Sequence, residues 1–164
     1  MAQAAPATVD ERITIRIAGA SDAAEIAALT AQLGYAADAA ETGRRLERIG
    51  MREDHLVLVA VLDGKAVAWL HAHASEVLES GFRAEIVGMV VSERCRRRGV
   101  GRSLVQRAEQ WAEETGADAL IVRSNMKRVE SHSFYPALGF STSKTQTVYR
   151  KKVGGGQSDR QLGK

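Results

Sequence analysis

Residues 90–104 read Val90-Val-Ser-Glu-Arg-Cys-Arg-Arg-Arg-Gly-Val-Gly-Arg-Ser-Leu104. An apolar run enters this stretch. Arg94, Arg96, Arg97, Arg98 and Arg102 then crowd together, and two glycines stand just before a helical pattern begins. Strand, loop and helix follow in that order. Glycines let a backbone approach a ligand closely and take positive φ. A helix N-terminus offers N–H groups with no intrahelical partner and a positive potential, which suits phosphate. Arginines add charge and paired donors. Together these features fit a pyrophosphate, or else a solvated arginine loop closed by glycines. No Lys-Ser or Lys-Thr follows at Walker spacing, and Gly-x-Gly-x-x-Gly is absent, so neither nucleotide fingerprint applies.

Working outward, the helix after Gly101 carries Leu104, Val105, Ala108, Trp111, Ala112 and Thr115 on one stripe and stops at Gly116. Residues 119–123 read as a strand, Glu130–Leu138 as a short helix despite Pro136, and Phe140–Arg150 as a last strand rich in Thr and Val. Upstream, Arg83–Val91 is a strand reached through a connection over 75–82. Asp63-Gly64 joins the strands Leu56–Leu62 and Ala66–Ala74 as a hairpin. A helix capped at Ser21 or Asp22 ends at Gly34, and a second covers about 38–50. Ile13–Ile17 alternates as a first strand. The order β-α-α-β-β-β-α-β-α-β predicts an α/β (α+β) fold. It has a mixed, mostly antiparallel central sheet flanked by helices, with one parallel pair across the 83–123 crossover.

With 164 residues, 45% of them apolar and 26% charged, the chain is sized for one domain with a real core. That domain is expected over 12–152, between a loose N-terminal extension (1–11) and a disordered tail (153–164). No apolar run is long enough for a membrane helix, and the start does not read as a secretory signal. One cysteine excludes an internal disulfide and a Cys-based zinc site, and a cytoplasmic location is the expectation. The net charge of +3 is concentrated in the arginine loop. It points to an anionic ligand more than to nucleic acid or membrane.

The segment Arg96-Arg-Arg-Gly99-Val-Gly101 resembles the Gln/Arg-x-x-Gly-x-Gly/Ala signature of the GNAT superfamily of N-acetyltransferases. Ala84–Val91 resembles that family's fourth strand. Ser131-His-Ser-Phe134-Tyr135-Pro-Ala-Leu138-Gly139-Phe140 resembles its Phe-Tyr-x-x-Leu-Gly-Phe segment. The resemblance covers about residues 13–151. It implies acetyl-CoA as co-substrate, with no metal, and direct transfer of the acetyl group to a primary amine in a ternary complex. The pantetheine arm would pair with Met89, Val90 and Val91. The pyrophosphate would meet Arg96, Arg97, Arg98, Gly99, Val100, Gly101, Arg102 and Ser103. Gly88, in mid-strand, marks a bulge, a close backbone approach or core crowding. The family's pantetheine asparagine is replaced by Arg128, and Asn125 stands three residues earlier, so either is a candidate contact.

Acetyl transfer needs a neutral amine, donors for an oxyanion and a proton for the leaving thiolate. Glu85 is the candidate base. It interrupts an apolar strand, where a charge is costly without a reason, and it falls on a glutamate that serves as base in some relatives. The other reading is an exposed strand-edge carboxylate. Tyr135 falls on the family's acid position, or packs its helix on the last strand. His71 and His73 share a strand face with Trp69 and either face the acceptor or are core or surface histidines; no third metal ligand is evident. His132 reads as structural, Cys95 as an incidental loop thiol, and Tyr35 as part of an acceptor pocket. The resemblance implies a small-molecule or peptide amine acceptor and a homodimer. The alternative is a non-catalytic acyl-CoA-binding module on the same fold.

Overall fold

Asp63 and Gly64 both adopt left-handed backbone, φ 50° and 77°, the two-residue turn whose twist matches that of its strands. It joins β2 (His55–Leu62) to β3 (Lys65–Val77). These belong to a computed structural model that describes residues 12–125 and 127–153. The residues 1–11 and 154–164, where an extension and most of a tail are expected, lie outside the described residues.

The described chain groups in two compact units, one up to Arg123 and one from Ser124. The first holds a five-stranded sheet in the order β1-β2-β3-β4-β5, where β1 is Thr14–Ile17, β4 is Gly81–Val91 and β5 is Leu120–Val122. Neighbouring strands run antiparallel except β4 and β5, the parallel pair expected across the crossover helix. Two bulges shape it. Val67 is an extra residue between the pairs Val61↔Ala66 and Ala60↔Ala68. Val87 is extra between Ile86↔Ala72 and Gly88↔His71. The expected connection over 75–82 is shorter, because β3 and β4 continue to pair down to Val77↔Gly81.

Helix α3 (Val100–Glu114) packs on β2, β3 and β4. Its buried stripe of Val100, Leu104, Val105, Ala108 and Ala112 meets a floor of Ala68, Leu70, Ala72 and Ile86. The alanines let helix and sheet approach closely. Helices α1 (Ala23–Ala31) and α2 (Ala39–Gly50) pack on each other and on β3 and β2. A second cluster of Ile26, Val59 and Ala66 forms there, with Leu46 and Trp69 against it. Asp38 caps α2 by accepting the Glu41 N–H at 3.0 Å. Asp22 precedes α1 but gives no side-chain cap. Its carboxylate turns back to Arg16, which donates to both oxygens at 2.7 and 2.8 Å, and accepts the Gly19 N–H.

The second unit holds α4 (Ser131–Phe134) and a 3-10 turn over Pro136–Leu138. The single helix expected over Glu130–Leu138 is thus divided, since Pro136 has no N–H to continue the ladder. The expected last strand is corrected. Residues 141–150 are exposed and form no strand. Thr and Val favour strands only where a pleated surface packs their side chains, and the run Ser141-Thr-Ser-Lys-Thr-Gln146 presents no apolar face.

Candidate active site

Strand β4 pairs with β5 only at Ala84, Glu85 and Ile86. Beyond them β5 ends, and β4 continues from Val87 to Val91 with that edge unpaired by β5. The Ser92 N–H bonds the Val67 carbonyl on the β3 side at 2.8 Å. By alternation, Met89 and Val91 turn their N–H and C=O groups the other way, to the open edge. There the Arg96 Nε donates to the Val91 carbonyl at 3.4 Å. Val90 is buried and holds the strand in the core.

After Val91 a 3-10 turn, Glu93–Cys95, redirects the chain and buries Cys95. Two residues then adopt left-handed backbone: Arg97 at φ 58° and Gly99 at φ 76°. For Arg97 this costs about 1 kcal/mol. Gly99 is the N-cap of α3. The first intrahelical bond runs from the Ser103 N–H to the Gly99 carbonyl at 3.0 Å. The N–H groups of Val100, Gly101 and Arg102 come before it and have no intrahelical partner. The first turn carries no acidic residue, and Arg96, Arg97 and Arg98 are exposed around it. That donor set is cationic and rich in N–H groups, and it fits a pyrophosphate.

Glu85 is 6% exposed, so the reading of it as an exposed edge carboxylate fails. Its Oε1 accepts from Arg123 Nη1 at 2.8 Å. Arg123 follows β5 directly, a partner that no motif in the sequence announces. Glu85 lies opposite His73 across the sheet, and His73 opposite His55. His55 Nδ1 and His71 Nε2 stand 2.9 Å apart, and the His55 and His71 rings stack. Burial, with His55 and His73 beside it, pushes the His71 imidazole down to about 4. His55 is shifted down too, chiefly by burial. His71 and His73 therefore belong to a half-buried imidazole row on the Glu85 face of the sheet. Among the described residues no group of three His, Cys, Asp or Glu could hold a metal.

The second unit carries the remaining candidates. Tyr135 ends α4 with its ring edge-on to Phe134 and to Phe140, at 5.1 and 5.5 Å between centroids. Burial pushes its phenol up, opposed by the charge of Arg128. Asn125 Oδ1 accepts the Lys127 N–H at 3.0 Å, and its carbonyl accepts the Arg128 N–H at 2.9 Å, so both groups are engaged in their own turn. Arg128 and His132 are exposed.

The model of the acetyltransferase (GNAT) family matches residues 24–140. The chain belongs to the GNAT acetyltransferase family. A GNAT relative, aminoglycoside N(6')-acetyltransferase type 1 of Serratia marcescens, is 30% identical over 46% of this chain, and the match spans only 52% of that enzyme. Glucosamine-6-phosphate N-acetyltransferase from Arabidopsis thaliana shares the fold at 24% identity, with a TM-score of 0.75 over 87% of this chain and all of that one. Aminoglycoside N-acetyltransferase AAC(6')-Iy, solved with CoA, aligns at 21% identity, with a TM-score of 0.73 over 85% of this chain and all of that one.

Within this GNAT chain, Glu85, Met89, Val90 and Val91 lie along β4, and the segment Arg96–Ser103 follows it into α3, all in the first unit. Two further residues, His55 and Arg123, join them without having been singled out from sequence. Tyr35, in the segment between α1 and α2, is 53% exposed. Among the described residues, no helix is long and apolar enough to cross a membrane.

Proposed function

We propose that this chain transfers the acetyl group of acetyl-CoA to a primary amine of a small acceptor. The observation that carries the reading is continuity along one strand. The edge of β4 that β5 leaves open at Met89 and Val91 leads, through the 3-10 turn Glu93–Cys95 and the arginine loop, to the glycine-capped start of α3. An extended, amide-bearing arm pairs with such an edge as an added strand would, and its pyrophosphate suits the N–H groups that follow. Membership of the GNAT family supports the same donor. Acetyl-CoA supplies an acyl group activated as a thioester.

In this reading Glu85 takes the proton of the attacking amine, directly or through one water. The C–N bond forms as the C–S bond breaks, and Tyr135, by its resemblance to the family's acid position, is the proposed source of the thiolate's proton. Burial raises the Tyr135 phenol and so keeps it protonated for that role. Arg97 and Arg98 hold the phosphates by charge, and Val100, Gly101 and Arg102 by backbone N–H.

The test is thiol release from acetyl-CoA with a panel of primary amines, including the aminoglycosides for which the Serratia marcescens relative is named. Amine-dependent thiol release that Glu85→Gln lowers about a hundredfold or more supports the reading. Binding of acetyl-CoA with no amine-dependent release at any pH from 6 to 9 counts against it and favours an acyl-CoA-binding module.

A further inference from the structure

The carboxylate of Glu85 already has a partner, and its surroundings say what kind of acceptor would free it. Strand register fixes the face. Glu85 pairs with Ile121 of β5, so Arg123, two residues on, projects from the same side, as its ion pair confirms. Arg83, two residues before Glu85, shares that side and pairs with Ser75. Around them stand His73, His71 and His55. On this face of β2 to β5, Glu85 is therefore the one carboxylate among the described residues, against two guanidinium groups and three imidazoles.

Nearby acids are already matched. Asp54, just before β2, is held by Arg52 at 2.7 and 3.0 Å. Glu41 on α2 is held by Arg44 and Arg45. A polycationic acceptor would meet the guanidinium groups of Arg83 and Arg123 here, with Glu85 already paired to one of them, while burial holds His71 and His55 toward the neutral form so that they add little charge. Arg123 is 59% exposed while Glu85 is buried, so the guanidinium lies within reach of solvent and the carboxylate beneath it is not. With Oε1 accepting from Arg123, one lone pair of the base is occupied in the pair.

We propose that the acceptor amine carries an anionic oxygen group, a carboxylate or a phosphate, which takes over the Arg123 guanidinium and leaves Glu85 to receive the amine proton. This inference rests on the acetyl-transfer reading above and names the acceptor class for it. The exchange of ionic partners makes and breaks no covalent bond. The ammonium proton passes to Glu85 and from there to solvent, the neutral nitrogen attacks the acetyl carbonyl as the C–S bond breaks, and the second proton lost by the nitrogen balances the one taken up by the departing thiolate. Arg123 thus couples recognition of the acceptor to release of the base. A guanidinium suits both anionic groups, because its parallel donors match the two oxygens of either.

The experiment compares kcat/KM at saturating acetyl-CoA for four amines of similar length: β-alanine, phosphoethanolamine, β-alaninamide and ethylenediamine. Wild type is set beside Arg123→Gln and Arg123→Lys. Wild type is expected to prefer at least one of the two anionic amines to β-alaninamide by about tenfold or more, the factor one good ionic contact supplies. The faster of the two identifies the group. Arg123→Gln is expected to remove that preference, and Arg123→Lys to keep part of it. If wild type acetylates β-alaninamide or ethylenediamine as well as the anionic pair, the inference is overturned while acetyl transfer stands. A preference that persists in Arg123→Gln also overturns it. Thiol release with none of the four overturns the inference, while acetyl transfer itself is judged by the wider amine panel above. The wild-type ranking decides by itself if a variant fails to fold.

Discussion

Glu85 Oε1 and Arg123 Nη1 stand 2.8 Å apart, and the pair clasps β4 to β5 at the place where their pairing stops. One partner is buried and the other is largely in water. Removing Arg123 leaves a buried carboxylate without its counter-charge, whereas Glu85→Gln leaves an amide that still accepts a hydrogen bond. Arg123→Ala is therefore expected to cost about 1–2 kcal/mol, less than a fully buried pair because of its exposure. Glu85→Gln should cost less than about 1 kcal/mol. Urea unfolding of both variants and the double variant measures this, and equal costs for the two single variants would contradict it.

His71 sets a pH dependence. Its imidazole is near 4 in the folded chain against an ordinary 6.5, so the folded state binds fewer protons than the unfolded state between those values. Its share of stability is complete above about pH 6.5, falls as pH drops, and is lost by about pH 4. His55, lowered in the same sense, adds to the effect. Asp22 is a carboxylate depressed by its bonds from Arg16, and it loses its share only as the solution becomes still more acidic. The drop in Tm from pH 7 to pH 4.5 should therefore be smaller in His71→Gln than in wild type. An unchanged drop would show that the imidazole titrates freely.

Gly88 has a steric reason. A Cβ there would lie 2.8 Å from two atoms at the far edge of the Trp69 indole, Cη2 and Cζ3. Gly88→Ala is expected to destabilise by about 1–3 kcal/mol, the cost of overpacking. Trp69→Phe shortens the ring that causes the clash, so Gly88→Ala should cost less in that background. Thermal unfolding of the four combinations reads the coupling, and additive costs would refute the clash.

Tyr135 gives a kinetic prediction. In the proposed reading it gives the thiolate its proton, and in that role it raises kcat without binding the donor. Tyr135→Phe is expected to lower kcat by about a hundredfold, with KM for acetyl-CoA within about threefold of wild type. Because burial raises the phenol, no loss of rate from its ionisation is expected up to pH 9. A matching rise in KM instead would assign Tyr135 to cofactor packing.

Much of this was legible in the chain. Asp63-Gly64 fixed a hairpin through backbone freedom, and the stripe from Leu104 to Ala112 fixed the face of α3 through periodicity. The start of α3 was legible because glycines standing just before a helical pattern mark its N-terminus, and Gly99 is the left-handed N-cap. His55 was not, for a definite reason. Counting back from the Asp63-Gly64 turn places it opposite Ala72, with its side chain on the α3 face. The extra residue Val67 shifts the register and sets it opposite His73 instead. Bulges of that kind leave no local signature. Arg123 was equally silent, since its role depends on where β5 ends. The segment 140–150 misled because Thr and Val propensity was read without a surface to pack on.

The most direct test of the account is calorimetric titration of acetyl-CoA into wild type and Gly101→Glu. Gly99 is unsuited to this, because its left-handed backbone would strain any side chain. Gly101 lies in the first turn of α3, where a carboxylate favours the helix and opposes a phosphate. The account predicts that wild type binds and that Gly101→Glu, with an undiminished Tm, binds at least about a hundredfold more weakly. Equal binding by the two proteins, or no binding by wild type, would contradict it.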